Sequence, residues 1–266
     1  MKDKYRVVYQ PRGAALEYAP LACNLYIGCE HGCRYCYAPA CLKLSRSEFH
    51  SERRIRKEVL LKLQRDLEEM RRSGDRRRVL FCFVSDPYSG SDNTITRSAL
   101  ELMREYDHPF DVLTKGGVKA AADFDLYGPD DRFAASLTFL SAERSREMEP
   151  AAALPADRLE ALRLAHERGI GTWVSFEPVI DPDETERLFV ASRDFVDQYK
   201  IGKASNFQYS ASIDWAAFTR RMVAHFKEAG KKYLVKKSLI NYMGGSDGNR
   251  EKLSQIGKSV FGRASL

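Results

Sequence analysis

No run of 18 consecutive apolar residues occurs in the 266-residue chain, so nothing in it reads as a membrane-spanning helix. Internal repeats, low-complexity tracts and Pro-, Gly- or Ser-rich linkers are also missing, which argues against a string of modules. A chain of this length fits one α/β barrel. The expectation is a single domain over 1–266, with its core at about 20–240 and a C-terminal helical extension over 241–266. The opening residues, Met1-Lys2-Asp3-Lys4-Tyr5-Arg6, lack the apolar stretch of a secretion signal. The six cysteines are therefore expected as reduced thiols in the cytoplasm of a bacterial or phage-infected cell. Neither sign of charge dominates: 43 Lys+Arg against 37 Asp+Glu leaves +6, compatible with a nucleic-acid substrate without requiring one.

Half of the cysteines fall in one short run, Gly28-Cys29-Glu30-His31-Gly32-Cys33-Arg34-Tyr35-Cys36-Tyr37. A four-iron cube takes one ligand per iron, usually thiolate, and Cys29, Cys33 and Cys36 supply three. Gly28 and Gly32 clear side chains where the loop must fold tightly. One iron is left open to a small molecule. The alternatives are zinc, a disulfide set, which needs an oxidising compartment, and plain buried thiols. Structural zinc prefers four protein ligands in recognisable pairs, and His31, Cys41 and Cys23 form no second pair.

Along the rest of the chain, short β-rich runs alternate with amphipathic stretches. Strands are predicted over 79–85, 110–115, 132–140, 170–177, 195–201 and 233–236. Ile55, Val59, Leu63, Leu67 and Met70 mark one face of a helix that ends near Gly74. Further helices are expected from Asn93 or Thr94 to Tyr106, weakly over 118–126, from Pro155 to Gly169, and over 183–192 and 214–229. Such alternation implies parallel strands with right-handed crossovers, an α/β partial (β/α)6-type barrel with outer helices. In such barrels function gathers at the C-terminal strand ends.

Ser85 and Asp86, Lys115, Ser136 and Glu177 all fall at such ends. One by one they read as a turn, a solvated end or a core hydroxyl. As a set they are candidate ligands for a charged amino-acid group, Lys115 for a carboxylate and Asp86 or Glu177 for an amine or ribose hydroxyls. Strand alternation would place Cys82, Val84 and Asp86 on one side, with Cys82 facing the barrel interior. Lys115, Lys119, Lys203, Lys236 and Lys237, with Tyr26, Tyr35, Tyr37 and Tyr88, are expected as a cationic rim with aromatic platforms. The cluster Arg71, Arg72, Arg76, Arg77 and Arg78 joins a helix end to a strand start, and is expected as solvated surface on the opposite face.

The C-x-x-x-C-x-x-C spacing resembles the signature of the radical SAM superfamily, in which S-adenosylmethionine chelates the fourth iron. The wider segment from Asn24 to Pro39 resembles the spore photoproduct lyase-like, or DNA repair photolyase-like, group of that superfamily. Further matches run through Arg56-Lys57-Glu58, Ser85-Asp86-Pro87-Tyr88, Thr114-Lys115, Ser136-Leu137, Glu149-Pro150 and Arg158-Leu159. The resemblance implies one [4Fe-4S] cluster on Cys29, Cys33 and Cys36, with Tyr35 against the adenine of S-adenosyl-L-methionine. Lys115 and Ser136 would hold its methionine part, and Tyr37 and Cys82 would be candidates for returning a hydrogen atom. The implied activity is reductive cleavage of S-adenosylmethionine to a 5′-deoxyadenosyl radical, with an external one-electron reductant. By the same analogy, the substrate is a pyrimidine base in DNA or a modified nucleotide, altered by hypermodification or lyase-type repair. Radical chemistry on tRNA, a peptide or a small molecule is the alternative, and a non-catalytic iron–sulfur or zinc protein another.

Overall fold

The computed structural model describes residues 6–203 and 212–243. Seven parallel strands lie side by side in chain order: β2 (Leu21–Cys23), β5 (Val79–Phe81), β6 (Phe110–Thr114), β7 (Arg132–Ser136), β8 (Gly171–Val179), β9 (Gln198–Lys203) and β10 (Lys232–Val235). A short β1 (Val8–Tyr9) pairs antiparallel with β2 at one edge, and β10 forms the other, so the sheet is not closed. A separate ribbon joins β3 (Tyr26–Ile27) to β4 (Arg54–Ile55). The expected α/β partial barrel is present. Among the described residues no helix is long and apolar enough to cross a membrane.

Residues of β8 show how the sheet divides two layers. Val174 and Phe176 face the large apolar cluster beneath the helices, while Trp173 packs inside the barrel with Leu80, Ala134, Tyr18 and Ala19. The outer layer is α3 (Val59–Ser73), α4 (Thr94–Glu105), a 3₁₀ segment (Gly117–Leu126), α6 (Pro155–Glu167), α7 (Pro182–Ser192) and α8 (Trp215–Glu228). In α3, Val59, Leu63, Leu67 and Met70 are buried at helical spacing and Gly74 ends the helix at positive φ. Asp66 on the same face receives the Val7 and Val8 N–H groups at 2.7 and 2.9 Å, fixing the edge strand.

Several expectations shift. Ile55 belongs to β4, not to α3, and is 56% exposed. The strand expected over 79–85 ends at Phe81 and the one over 132–140 at Ser136. At α4 neither expected residue caps the helix by its side chain; the Asp92 carboxylate accepts the Thr94 N–H at 2.9 Å. Strands β1 to β4 were not foreseen, since two or three residues are too few to show a period. The expected C-terminal extension lies outside the described residues beyond residue 243. Arg72, Arg76 and Arg77 are exposed and paired with Glu69, Asp107 and Asp75, as a solvated surface requires. Arg78 departs from the expectation: it is half-buried, 3.3 Å from the buried Asp111 carboxylate.

Candidate functional site: the cysteine loop and the barrel mouth

The loop that follows β3 is fastened on three sides. Gly28 has φ +89°, and a Cβ there would land on the Glu52 carbonyl oxygen, so a side chain is excluded by both strain and space. The Ser85 hydroxyl donates to the Gly28 carbonyl at 2.7 Å. The Arg34 N–H bonds Met148 O at 2.8 Å, and the Ala151 N–H bonds His31 O at 3.1 Å. On the third side stands α2 (Arg46–Ser51), whose Phe49 carbonyl receives the Cys29 N–H at 3.0 Å.

Cys33 is buried, and Cys29 and Cys36 are half-buried. Burial pushes the Cys33 thiol up to about 12, against the pull of Lys115, and raises Cys29 and Cys36 as well. Bound metal displaces those protons outright, so thiols that are reluctant acids alone become good ligands for iron. Among the described residues no three His, Cys, Asp or Glu side chains crowd onto a single-ion site. Three thiols on one loop without a second cysteine pair fit a cube with one open corner better than a four-ligand zinc site.

Asp86 holds this loop to the strand ends. One carboxylate oxygen accepts the Tyr88 N–H at 2.8 Å and the Thr114 hydroxyl at 2.6 Å; the other accepts the Lys115 N–H at 2.8 Å and lies 3.2 Å from His31 Nε2. Burial would raise its pKa, but His31 and these hydrogen bonds hold it well below the usual carboxylate range. Both oxygens are occupied by the protein, so Asp86 positions the mouth rather than presenting a free ligand. Ser85 acts likewise through Gly28.

A second network surrounds Tyr35. Its hydroxyl donates to Glu149 and lies 3.2 Å from Thr138 Oγ1. Glu149 pairs with Arg158 at 2.5 Å, both fully buried, and Arg158 also donates to the Ser136 carbonyl at 3.0 Å and to Ala153 O at 2.7 Å. Burial favours a protonated Glu149, but Arg158 and then Lys115 keep it below its ordinary pKa. Lys115 lies 3.9 Å from Glu149 and 5.5 Å from the centre of the Tyr35 ring. The structure thus brings together Cys33, Tyr35, Lys115 and Ser136.

Glu177 stands apart on β8. Its two oxygens receive Lys236 Nζ at 2.8 and 2.7 Å, and one also accepts the Tyr18 hydroxyl. It stands at the C-terminal end of β8 but is taken up by Lys236 and Tyr18, apart from the group around Lys115. Cys82 is also corrected. Leu80 faces the interior, but Phe81 and Cys82 both join the outer apolar layer, while Phe83 packs inward again. The alternation slips by one residue where β5 ends, so Cys82 sits with Cys23 under the helices. Tyr26 and Tyr88 are core residues whose hydroxyls meet Thr96 and Asp123, not platforms. Tyr37 is 56% exposed and donates to the Phe83 carbonyl at 2.6 Å.

The sequence matches the family model of the Radical SAM superfamily over residues 23–196, from β2 to the turn before β9. The chain belongs to the radical SAM superfamily. Among curated proteins, an uncharacterized protein of Methanocaldococcus jannaschii is 26% identical over 182 residues, 66% of this chain and 67% of that protein. SuiB of Streptococcus suis, solved with S-adenosylmethionine, superposes with a TM-score of 0.61 at 10% identity, covering 80% of this chain and 49% of SuiB. A spore photoproduct lyase variant solved with S-adenosylmethionine and a dinucleoside spore photoproduct gives 0.60 at 16% identity, covering 86% of this chain and 65% of the lyase. The chain spans about half the length of SuiB, and these likenesses show a shared fold. The superfamily carries a [4Fe-4S] cluster and S-adenosylmethionine, and solved neighbours hold the latter. Cys29, Cys33 and Cys36, close together on one loop, are the candidate donors for that cluster.

Sequence reasoning missed the work of His31, Tyr18, Arg46 and His50. Of these only His31 carried a signal, its place between two cluster cysteines.

Proposed function

We propose that this radical SAM enzyme acts on a pyrimidine base of DNA or of a modified nucleotide, in a lyase- or isomerase-type reaction. The observation that carries the reading is one cation held beside an exposed ring at the mouth. Lys203 at the end of β9 donates to the Tyr242 hydroxyl, and its Nζ lies 4.5 Å from that ring and 5.5 Å from Trp215. Tyr242 is 44% exposed and Tyr37 56%. Flat rings beside a fixed cation suit a base and its phosphate, and a base must leave the duplex to reach a barrel mouth.

When bound, the cluster and S-adenosylmethionine supply one-electron cleavage of the sulfonium and hydrogen-atom abstraction, drawing on an external reductant. Cys29, Cys33 and Cys36 would hold the cluster. Lys115 and Ser136 would receive the methionine part, with Glu149, itself paired to Arg158, keeping Lys115 and Tyr35 in place. Tyr35 would meet the adenine. Tyr37, open to the mouth, would give its phenolic hydrogen atom to the substrate radical. The tyrosyl radical left behind would take an electron from the external reductant and a proton from solvent. The buried position of Cys82 does not suit that role. The buried floor around Tyr18 and Trp173 excludes water from below.

Anaerobic incubation of reduced protein with S-adenosylmethionine and duplex DNA, modified phage DNA, tRNA or peptides tests the reading. 5′-Deoxyadenosine should rise several-fold over the uncoupled background only with DNA. A rise with tRNA or peptide and none with DNA would refute the substrate class.

A further inference from the structure

The three cluster cysteines share a feature beyond their thiols: each has its backbone carbonyl held by a side chain of α2. His50 Nδ1 donates to the Cys29 carbonyl at 2.9 Å. Arg46 Nη2 donates to the Cys33 carbonyl at 2.6 Å, and Nη1 to the Cys36 carbonyl at 3.1 Å. The helix behind them is fixed, since the Ser45 hydroxyl caps it at the Glu48 N–H, 3.1 Å away, and Phe49 is 1% exposed. Among the described residues Arg46 forms no ion pair, whereas Arg34, on the same loop, pairs with Glu147 at 3.2 Å. An exposed arginine ordinarily finds a carboxylate or water; this one is bound as a fork to two carbonyls of one loop.

Two consequences follow from that geometry. A carbonyl tied to α2 cannot turn its oxygen toward the thiol side, so these peptide dipoles keep their negative ends away from the cluster position. The guanidinium also brings a permanent positive charge beside Cys36. A cation beside a bound iron favours an electron added to that iron, because the electron adds negative charge next to it.

We infer that Arg46 is a positioning residue of the cluster centre: it fixes Cys33 and Cys36 through their carbonyls and raises the cluster's reduction potential by its charge. His50 fixes Cys29 in the same manner. The inference rests on the cluster that the superfamily carries and is independent of the substrate, so a failure of the DNA reading leaves it standing.

Arg46→Gln, Arg46→Lys and, as a control, Arg34→Gln test it in the anaerobically reconstituted protein. Iron and sulfide are counted, and the midpoint is read by redox titration with electron paramagnetic resonance. In Arg46→Gln the reduced-to-oxidised ratio at the wild-type midpoint should fall roughly threefold, the size expected of one partly screened charge. Arg46→Lys should keep the wild-type midpoint, and Arg34→Gln should leave it unmoved. A full cluster with an unmoved midpoint in Arg46→Gln overturns the assignment, as does an equal shift in Arg34→Gln. Should Arg46→Gln bind no cluster, Arg46→Lys decides. Lysine keeps the charge but can hold only one of the two carbonyls, so a wild-type midpoint in the cluster it binds supports the assignment and a lowered midpoint refutes it.

Discussion

Replacing Asp86 by asparagine separates two roles that a carboxylate at a strand end can play. If it binds S-adenosylmethionine directly, the variant folds normally and loses affinity. If it fastens the cysteine loop to β5 and β6, stability falls first. The structure favours the second. Its two oxygens receive the Tyr88 and Lys115 N–H groups, each at 2.8 Å, and the Thr114 hydroxyl, with His31 Nε2 at 3.2 Å, all at a residue 8% exposed. An asparagine offers one oxygen and one NH2, and either orientation sets the NH2 against a backbone N–H. One hydrogen bond to a charged group is lost and a buried donor is left unpaired, together about 3 kcal/mol. For a chain of this size that is a fall in Tm of roughly 6–12 °C.

Calorimetry or urea unfolding of the cluster-free protein measures the effect, and equilibrium binding of S-adenosylmethionine to the loaded protein completes the comparison. The native carboxyl titrates below its unfolded value, so its stabilisation is present above about pH 4 and is lost as the pH falls toward the native pKa. The gap between wild type and Asp86→Asn should therefore narrow in acid. A variant with unchanged unfolding and at least tenfold weaker binding would refute the reasoning.

Lys200 is 1% exposed, with Nζ 2.8 Å from the Tyr18 carbonyl and 3.8 Å from the centre of the Trp173 ring. Burial lowers its pKa to about 7, so the unfolded chain holds the extra proton between there and 10.5, and stability rises with pH across that window. Lys200→Met should abolish that rise, on the order of 5 kcal/mol in all; parallel urea midpoints for both proteins from pH 6 to 10 would contradict it. Cys82→Ala should leave the product distribution unchanged at a small loss of stability, whereas Tyr37→Phe should redirect it. Altered products from Cys82→Ala would return that thiol to the mechanism.

Placement was more legible than contact. Ser85, Asp86, Lys115, Ser136 and Glu177 do stand at C-terminal strand ends, because strand runs and turn residues are local signals. What those side chains touch is not local. Asp86 meets His31 across 55 residues of chain and Glu177 meets Lys236 across 59, so neither partner is visible from spacing. Cys82 shows the opposite failure: the alternation rule is local and sound, but the strand ends one residue too early for it to apply. Arg46 and His50 were silent because α2 has six residues and a single buried one, Phe49, too little for a periodic face.

The loop's fastenings also bear on why this fold can serve a radical reaction. Ser85 and Asp86 tie it to β5, Met148 and Ala151 tie it to the strap before α6, and α2 holds its carbonyls from outside. Strap and loop meet again through Glu149, which joins Tyr35 to Lys115 and Arg158. Cys29, Cys33, Cys36 and Lys115 are thereby braced on one connected set of contacts. Reaction distances set by such a set change little when a substrate arrives, which is what a short-lived radical demands of its protein. Arg158 is the member whose loss would be felt most widely, since its one guanidinium secures Glu149, Ser136 and Ala153 together.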